Sequence, residues 1–234
     1  MLKRVFLAAL AAASAAIPAA AQEPAFAAVL AEIDKANPAP TPAEMAPPTL
    51  ETLRAIAEKD KACVPTGVVM EPATSASASR TIATLIGTKR IRNGWTAYGR
   101  LQGCPTRLPT RFMVLRMADG KLIARVINVG ESLTAPDLMR ESSFAVAVAA
   151  VAAIQKAHPD CKGIEGLQME ESRVSSRSSD LSPDFHGQRY RGSWEEVWTF
   201  SQCGHRAEVP VRFVTDGQGG AQWTADQRGA KPLD

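Results

Sequence analysis

Three stretches of the chain carry apolar side chains at the spacing of an amphipathic helix, which predicts helices over residues 25–36, 49–61 and 136–157. Thr49 is placed to cap the second helix. The His158-Pro159 step ends the third, because the residue before a proline is pushed out of helical geometry. The apolar stripes expected to face a core are Leu50, Leu53, Ile56 and Ala57 in the second helix and Phe144, Val148, Val151 and Ile154 in the third.

After each of the two later helices the pattern changes to period two and to β-favouring residues, which predicts strands. Asp119-Gly120 and Asp216-Gly217 are tight-turn signals that join the last two strands of each half into a hairpin. The predicted strands cover residues 64–70, 94–103, 111–117 and 122–129, and then 164–174, 193–202, 208–214 and 221–224. Each half is therefore predicted to be α+β, with one helix packed on a sheet of roughly four antiparallel strands.

Two segments without this periodicity are predicted to lack regular structure. Residues 37–48 contain five prolines, which favour an extended, polyproline-like linker. Residues 175–188 form a long polar insert in the second half that begins with Ser175-Ser-Arg-Ser-Ser179. Loops of this length are mobile or functional, and the serine-rich composition favours mobility.

The second half of the chain repeats the first. Apolar helix positions and the first cysteine of each half match at an offset of 98 residues, and a tryptophan and the second cysteine match at an offset of 99. The pairs are Leu50 with Val148, Leu53 with Val151, Ile56 with Ile154, Cys63 with Cys161, Trp95 with Trp194, and Cys104 with Cys203. The pattern indicates a duplicated domain of about 95 residues. The expected boundaries are 49–135 and 136–234, preceded by the short helix and linker of residues 22–48.

The start of the chain and its cysteines predict an exported protein. A charged Lys3-Arg4, an apolar run and small residues before Gln22 are typical of a signal peptide over residues 1–21. An exported chain meets an oxidising environment, so four cysteines are expected to form two disulfides. The duplication favours one bond within each repeat, Cys63–Cys104 and Cys161–Cys203. We expect a periplasmic or secreted location.

Charge is divided unevenly between the repeats. The whole chain carries a net charge of +3, but residues 50–135 carry +7 and residues 136–234 carry −3. A basic surface on the first repeat would attract an anionic partner; the alternative is a basic strand face that is merely solvated. The candidate anion-binding side chains, expected from strand alternation to share a face, are Arg92, Arg100, Arg111 and Arg125.

The strand from Trp194 to Cys203-Gly204, followed by Val209 to Gly217 and by Gly219-Gly220, resembles small exported proteobacterial domains of unknown function. Those domains share a tryptophan-containing strand, a Cys-Gly step and a closing hairpin. The resemblance covers some 30 residues in each copy and implies an exported location without implying an activity. Trp194, Trp198 and Phe200 lie on one side of their strand, which favours a core over a stacking platform for a ligand.

Two groups of residues could support metal binding or catalysis. His158, Cys161, Cys203 and His205 form a ligand set that suits tetrahedral zinc, but a disulfide competes for both sulfurs, and we expect the disulfide and no metal or cofactor. Glu171 and Glu196 would serve a hydrolase of a cell-wall polymer if the junction between repeats brought them together. The sequence contains none of the common nucleophile, zinc-protease or phosphate-loop motifs, so no catalytic residue is predicted.

These observations predict an exported, disulfide-stabilised binding or interaction protein without an evident catalytic site, with the wall-polymer hydrolase as the alternative. The expected partner is an envelope or extracellular protein or an anionic polymer, and not a nucleic acid. No membrane span is expected in the mature chain, because the alanine-rich run from Phe144 to Ile154 is shorter than the roughly 20 residues that a spanning helix needs.

Overall fold

The computed structural model describes residues 23–105 and 108–233, which form four helices and two antiparallel β-sheets. The fold class is α+β, as predicted. The predicted signal peptide lies outside the described residues. The elements are α1 (Glu23–Ala36), α2 (Pro42–Asp60), β1 (Gly67–Met70), β2 (Thr74–Ser75), α3 (Arg80–Gly87), β3 (Ile91–Gln102), β4 (Thr110–Met117), β5 (Leu122–Val129), α4 (Pro136–Ala157), β6 (Gln168–Arg177), β7 (Ser193–Gln202), β8 (His205–Thr215), β9 (Ala221–Ala225) and β10 (Lys231–Pro232).

The two sheets have the same topology. The first has the order β1-β3-β4-β5, with β2 also paired to β3. The second has the order β6-β7-β8, and both β9 and β10 pair with β8. The four strands that the two sheets share, β1, β3, β4 and β5 in the first and β6 to β9 in the second, form antiparallel meanders. Helix α2 packs on the first sheet and helix α4 on the second.

Equivalent residues occupy equivalent places in the two sheets, which supports the duplication. Trp95 of β3 lies opposite Val114, and Trp194 of β7 lies opposite Phe213. The buried helix positions also correspond, but at an offset of 97 rather than 98. The buried residues Met45, Thr49, Leu53 and Ala57 of α2 match Ser142, Val146, Ala150 and Ile154 of α4.

Helix α2 begins seven residues before the predicted start, so the extended linker is wrong for residues 42–48. Thr41 caps the helix: its side chain accepts a hydrogen bond from the Glu44 N–H, and the Glu44 carboxylate accepts one from the Thr41 N–H. Pro42 follows the cap, where a proline needs no helical hydrogen bond. Pro47 and Pro48 do lie inside the helix. Prolines inside a helix lower its stability, because each removes a backbone hydrogen bond. Burial of the Met45 side chain in the core beneath α2 offsets part of this loss.

Helix α4 has the predicted bounds, but its buried face is rotated from the predicted stripe. Val151 and Ile154 are buried as expected, whereas Phe144 is 74% exposed and Val148 is 46% exposed. Small residues such as Ala149 and Ala150 pack on the sheet instead, because the tryptophans beneath them fill the space. Within the described residues no helix is long and apolar enough to cross a membrane.

Helix α3 was not predicted. Ser79 caps it by accepting a hydrogen bond from the Ile82 N–H. Ile82 is buried with Ile91 on the face of the first sheet that is opposite to α2. The first sheet is therefore covered by helices on both faces.

Both predicted disulfides are present. Cys63 is bonded to Cys104 and Cys161 to Cys203, with Cα atoms 5.8 and 5.9 Å apart. Each bond fastens the segment that follows the repeat's long helix to the end of its central strand. On the loop-entropy view, closing a ring of about 40 residues contributes roughly 4 kcal/mol of stability.

Candidate functional site

The two sheets meet where β5 ends. Gly130 forms a parallel bridge to Ser172 of β6 and has a φ of +85°, a conformation that favours glycine. Asn128 supports this contact, because its side-chain amide donates to the Gly130 carbonyl at 3.1 Å and to Ser172 Oγ at 2.9 Å. Edge strands of the two repeats are thereby held side by side.

A buried carboxylate then fixes the linker between the repeats, residues 130–135. Glu196 of β7 is fully buried, and six donor groups surround its two oxygens at 2.8–3.1 Å. The donors are Ser132 Oγ, the Leu133 N–H, the Thr134 N–H and Oγ1, and the indole N–H groups of Trp194 and Trp198. A buried carboxylate is stable when hydrogen bonds replace its lost hydration. This one joins the linker to the core of the second repeat.

Asp137 joins the repeats at a second point. It lies in the first turn of α4, and its Oδ2 accepts hydrogen bonds from Ser79 Oγ at 2.8 Å and from the Thr81 N–H at 3.0 Å. One carboxylate therefore sits at the N-termini of both α3 and α4, where the helix dipoles favour negative charge.

The insert lies between β6 and β7, over residues 178–192, and packs against the first repeat, in contrast to the mobile loop predicted over residues 175–188. The Ala78 N–H donates to the His186 carbonyl at 3.1 Å, and the Gln188 side-chain amide donates to the Ala78 carbonyl at 2.7 Å. His186 Nδ1 also lies 3.2 Å from the carboxylate of Asp34 in α1. The insert is an ordered bridge between α1 and the two repeats.

These contacts enclose a cleft of about 320 Å³ at the junction. Both repeats, the linker and the insert contribute to its walls, and the cross-strand neighbours Thr74 and Thr96 lie on the side of the first repeat. Its charged lining residues are Arg100 of β3, Arg111 of β4, Arg177 at the end of β6, Arg189 of the insert, Glu71, Glu131 and Asp184. Guanidinium groups from both repeats thus face a common space.

The arginines of the cleft differ in how they are held. Arg111 is buried, and its Nη1 donates to the Thr134 carbonyl at 2.7 Å. The guanidinium of Arg100 lies 3.9 Å from the Glu71 carboxylate. Arg189 is half-buried, and its Nη1 donates to the Ser182 carbonyl at 2.6 Å. Its buried Nε has no hydrogen-bond partner in the described part of the chain.

The pKa of Arg189 is lowered from its ordinary value. Burial is the main cause, and the nearby guanidinium groups of Arg111 and Arg177 act in the same direction. The carboxylates of Asp184 and Glu196 oppose the change without cancelling it. Arg189 thus lies within electrostatic range of two other cations at the cleft.

Only two of the four arginines predicted as an anion-binding face lie in this cleft, namely Arg100 and Arg111. Arg92 is elsewhere, with its Nε donating to the Ala118 carbonyl and its side chain near α1 and α3. Arg125 lies on the edge strand β5, next to α2. The sequence reasoning missed Arg177 and Arg189, although an arginine-containing insert of unusual length was a usable signal.

The carboxylate pair expected for a hydrolase does not form. Glu171 lies opposite Thr199 in the second sheet, whereas Glu196 lies on the opposite face with Trp198. Glu171 is 4.0 Å from the Arg206 guanidinium, and Glu196 is enclosed by its hydrogen-bond donors. The two carboxylates therefore cannot flank one substrate bond.

Ser77, His186 and Asp34 are in contact but lack the geometry of a catalytic triad. Ser77 Oγ lies 3.0 Å from His186 Nδ1, and the Asp34 carboxylate approaches the same nitrogen at 3.2 Å. In a triad the serine and the acid engage different ring nitrogens. One nitrogen accepts the serine proton, and the N–H of the other donates to the carboxylate. Ser77 is also buried. The contact holds α1 and the insert together.

The predicted zinc ligand set is not available, because Cys161 and Cys203 are bonded to each other and offer no thiolate. The rings of His158 and His205 stack with centroids 3.5 Å apart and planes 9° from parallel. Nitrogen lone pairs lie in the ring planes, so stacked rings do not direct them to one tetrahedral centre. In residues 23–105 and 108–233 no group of three or more histidine, cysteine or acidic side chains is arranged to hold a metal.

No protein-family description, curated protein or solved structure matches this chain. The resemblance to small exported domains stays a prediction.

Proposed function

We propose that this chain is an exported, disulfide-stabilised binding protein of the bacterial periplasm or extracellular space, and that its ligand occupies the cleft between the repeats. The observation that carries the proposal is the composition of the cleft walls. The first repeat contributes Arg100 and Arg111, the linker contributes Glu131, and the second repeat contributes Arg177 and Arg189. A pocket at a junction, with a few convergent polar groups, is the usual setting of a binding site.

The polar groups of the cleft suit binding better than hydrolysis. Glu71 faces Arg100, and Asp184 Oδ1 accepts a hydrogen bond from the Gly187 N–H at 2.8 Å. These two carboxylates are thus engaged with protein groups. A glycoside hydrolase requires a pair of carboxylates on either side of the scissile bond, and the pair suggested by the sequence is split between two faces of a sheet.

The two disulfides support the proposed location. Structural disulfides form and persist in the periplasm and outside the cell, whereas cytosolic thiols are kept reduced. Both cysteine pairs of this chain are bonded. Export itself is tested by fractionating cells and determining the N-terminus of the mature protein, which we expect to be Gln22.

Site-specific photo-crosslinking tests the cleft as the binding site. A photoreactive residue at Thr74, which is exposed at the cleft, should give a crosslinked product with an envelope extract. The matched control is Val148, which is exposed on the outer face of α4 and should not give that product. Equal products from both positions, or none from Thr74, would contradict the proposal. Turnover of a wall polymer that E171Q abolishes would favour the hydrolase instead.

A further inference from the structure

Three guanidinium groups converge in the cleft from three different elements. Arg111 comes from β4, Arg177 from the end of β6, and Arg189 from the insert. Like charges in a partly buried space repel one another more strongly than in water. Arg189 lines the same cleft as the other two, and burial is the main reason why its pKa is lowered, with Arg111 and Arg177 acting in the same direction. A bound anion would reverse this repulsion.

The three arginines retain unused hydrogen-bond donors. A guanidinium has five N–H donors in a planar fork. Arg111 and Arg189 each use Nη1 to hold a backbone carbonyl, which orients the rest of the fork. The Nε of Arg189 is buried without a partner in the described residues. A buried donor of this kind costs free energy unless something accepts its hydrogen bond.

Within the described residues, none of the three cleft carboxylates, Glu71, Glu131 and Asp184, accepts a hydrogen bond from Arg111, Arg177 or Arg189. Glu71 is paired with Arg100, and Asp184 holds the backbone of the insert. The fully buried Glu196 already has six donor groups of its own. Arg177 lies exposed at the end of its strand, and no hydrogen bond of its side chain is seen within the described residues.

We infer that Arg111, Arg177 and Arg189 bind an oxyanion of the ligand, a carboxylate or phosphate group, by charge-assisted hydrogen bonds; this inference rests on the proposed function. Planar guanidinium forks match both groups, which accept two parallel hydrogen bonds. A cleft of about 320 Å³ admits a small molecule or one end of a larger one. The site therefore differs from a basic surface that attracts polyanions by charge alone.

Calorimetric titration of the whole mature chain tests this inference, with inorganic phosphate and citrate as separate probes. Wild type should bind at least one of them. R177Q and R189Q should each weaken that binding about tenfold or more, since a hydrogen bond to a charged group is worth roughly 1.5–3 kcal/mol. R177Q alters an exposed side chain and should leave the fold intact. R125Q is the matched control, because it removes an equal charge outside the cleft.

The outcomes distinguish diffuse electrostatic attraction from binding at the cleft. If R125Q weakens the binding as much as R177Q, the attraction is diffuse and the inference is wrong. If neither probe binds to wild type, it is also wrong. Preference for phosphate over citrate, or the reverse, identifies which of the two groups the ligand carries.

Repeating the Thr74 crosslink with R177Q/R189Q separates this inference from the proposed function. A product that forms in wild type and persists in the double variant leaves a binding cleft that does not use these arginines, so the inference fails alone. Probe binding that follows the predicted variant pattern, with no crosslinked product in wild type, leaves the oxyanion site standing while the proposed function fails.

Discussion

Asp137 of the second repeat accepts hydrogen bonds from the backbone N–H and the hydroxyl of Thr81 in the first repeat. Thr81 lies in the first turn of α3, and Asp137 lies in the first turn of α4. Separation of the repeats would break these hydrogen bonds and expose the N-terminus of α3 to water. Their association is part of the fold.

We expect D137N to lower the free energy of unfolding by about 1.5–3 kcal/mol at pH 7, because hydrogen bonds to a charged acceptor are lost. Burial acts to raise the pKa of Asp137, but hydrogen bonds from Thr81 and Ser79, with Arg140 nearby, leave that pKa lower than usual. A lowered carboxyl pKa stabilises the fold above the unfolded-state value of about 4 and loses that contribution as the pH falls through the folded-state value.

The difference between wild type and D137N should therefore be largest near neutral pH and should shrink below about pH 4. Urea unfolding between pH 3 and pH 7 measures it. D60N, which changes an exposed aspartate at the end of α2, is the control and should show little effect at any pH. A D137N deficit that is the same at pH 3 and pH 7 would contradict the assignment.

Two adjacent glutamates of β7 should respond very differently to substitution. E196Q replaces the buried carboxylate that holds the linker, and we expect a loss of about 3 kcal/mol or more because a buried network is broken. Glu195 is exposed on the opposite face, so E195Q should change stability by less than about 0.5 kcal/mol. Guanidinium unfolding followed by tryptophan fluorescence, to which Trp194 and Trp198 contribute, measures both losses. Similar losses for the two variants would show that the network is not needed.

Substitutions at Gly130 and Gly163 compare a tight backbone position with an open one. Gly130 lies at the seam between the two sheets, which is its bridge to Ser172 of β6. Both have a positive φ, but a Cβ at Gly130 would lie 2.1 Å from the backbone oxygen of Ser172, whereas at Gly163 nothing lies within 4 Å. We expect G163A to cost about 1 kcal/mol from backbone strain alone. G130A should cost at least about 2 kcal/mol more, because the seam must open. Thermal unfolding compares them, and equal melting temperatures would refute a close-packed seam.

Loosening the insert should expose it to trypsin. Q188A removes the hydrogen bond to the Ala78 carbonyl, and the insert carries cleavable arginines at positions 189 and 191. Loss of roughly 1 kcal/mol of local stability should speed cleavage there about fivefold. Mass spectrometry of timed digests measures the rate. S175A changes an exposed serine at the end of β6, and the protein should be cleaved at the wild-type rate. An unchanged rate for Q188A would indicate that this contact does not order the insert and would favour the predicted mobile loop.

Much of the fold follows from local patterns and from the duplication. Strands β5 and β7 have their predicted bounds because alternation and turn signals act over a few residues. Both disulfides were predictable because the same spacing occurs twice. The start of α2 differs from the prediction because the capping box formed by Thr41 and Glu44 begins a helix despite the prolines that follow it. The spacing of this capping box is recognisable in the sequence.

The candidate site was much less predictable, because it is assembled from distant parts of the chain. Arg111 and Arg189 come to line one cleft only after the linker and the insert have packed, and no local pattern in the sequence indicates that packing. Glu196 could be assigned to a strand face by alternation, but not to a particular set of donors. Phe144 shows the related limit for helices, since helical spacing gives the width of an apolar stripe without deciding which edge is covered.

The insert of the second repeat has no counterpart of the same kind in the first, where α3 occupies the equivalent interval. The junction itself is not symmetric, because β5 at the end of the first repeat lies beside β6 at the start of the second. At this interval the insert adds Arg189 to the cleft, whereas β4 of the first repeat supplies Arg111. Each copy supplies a different guanidinium group to the cleft, so a substitution in either half would alter the proposed binding site.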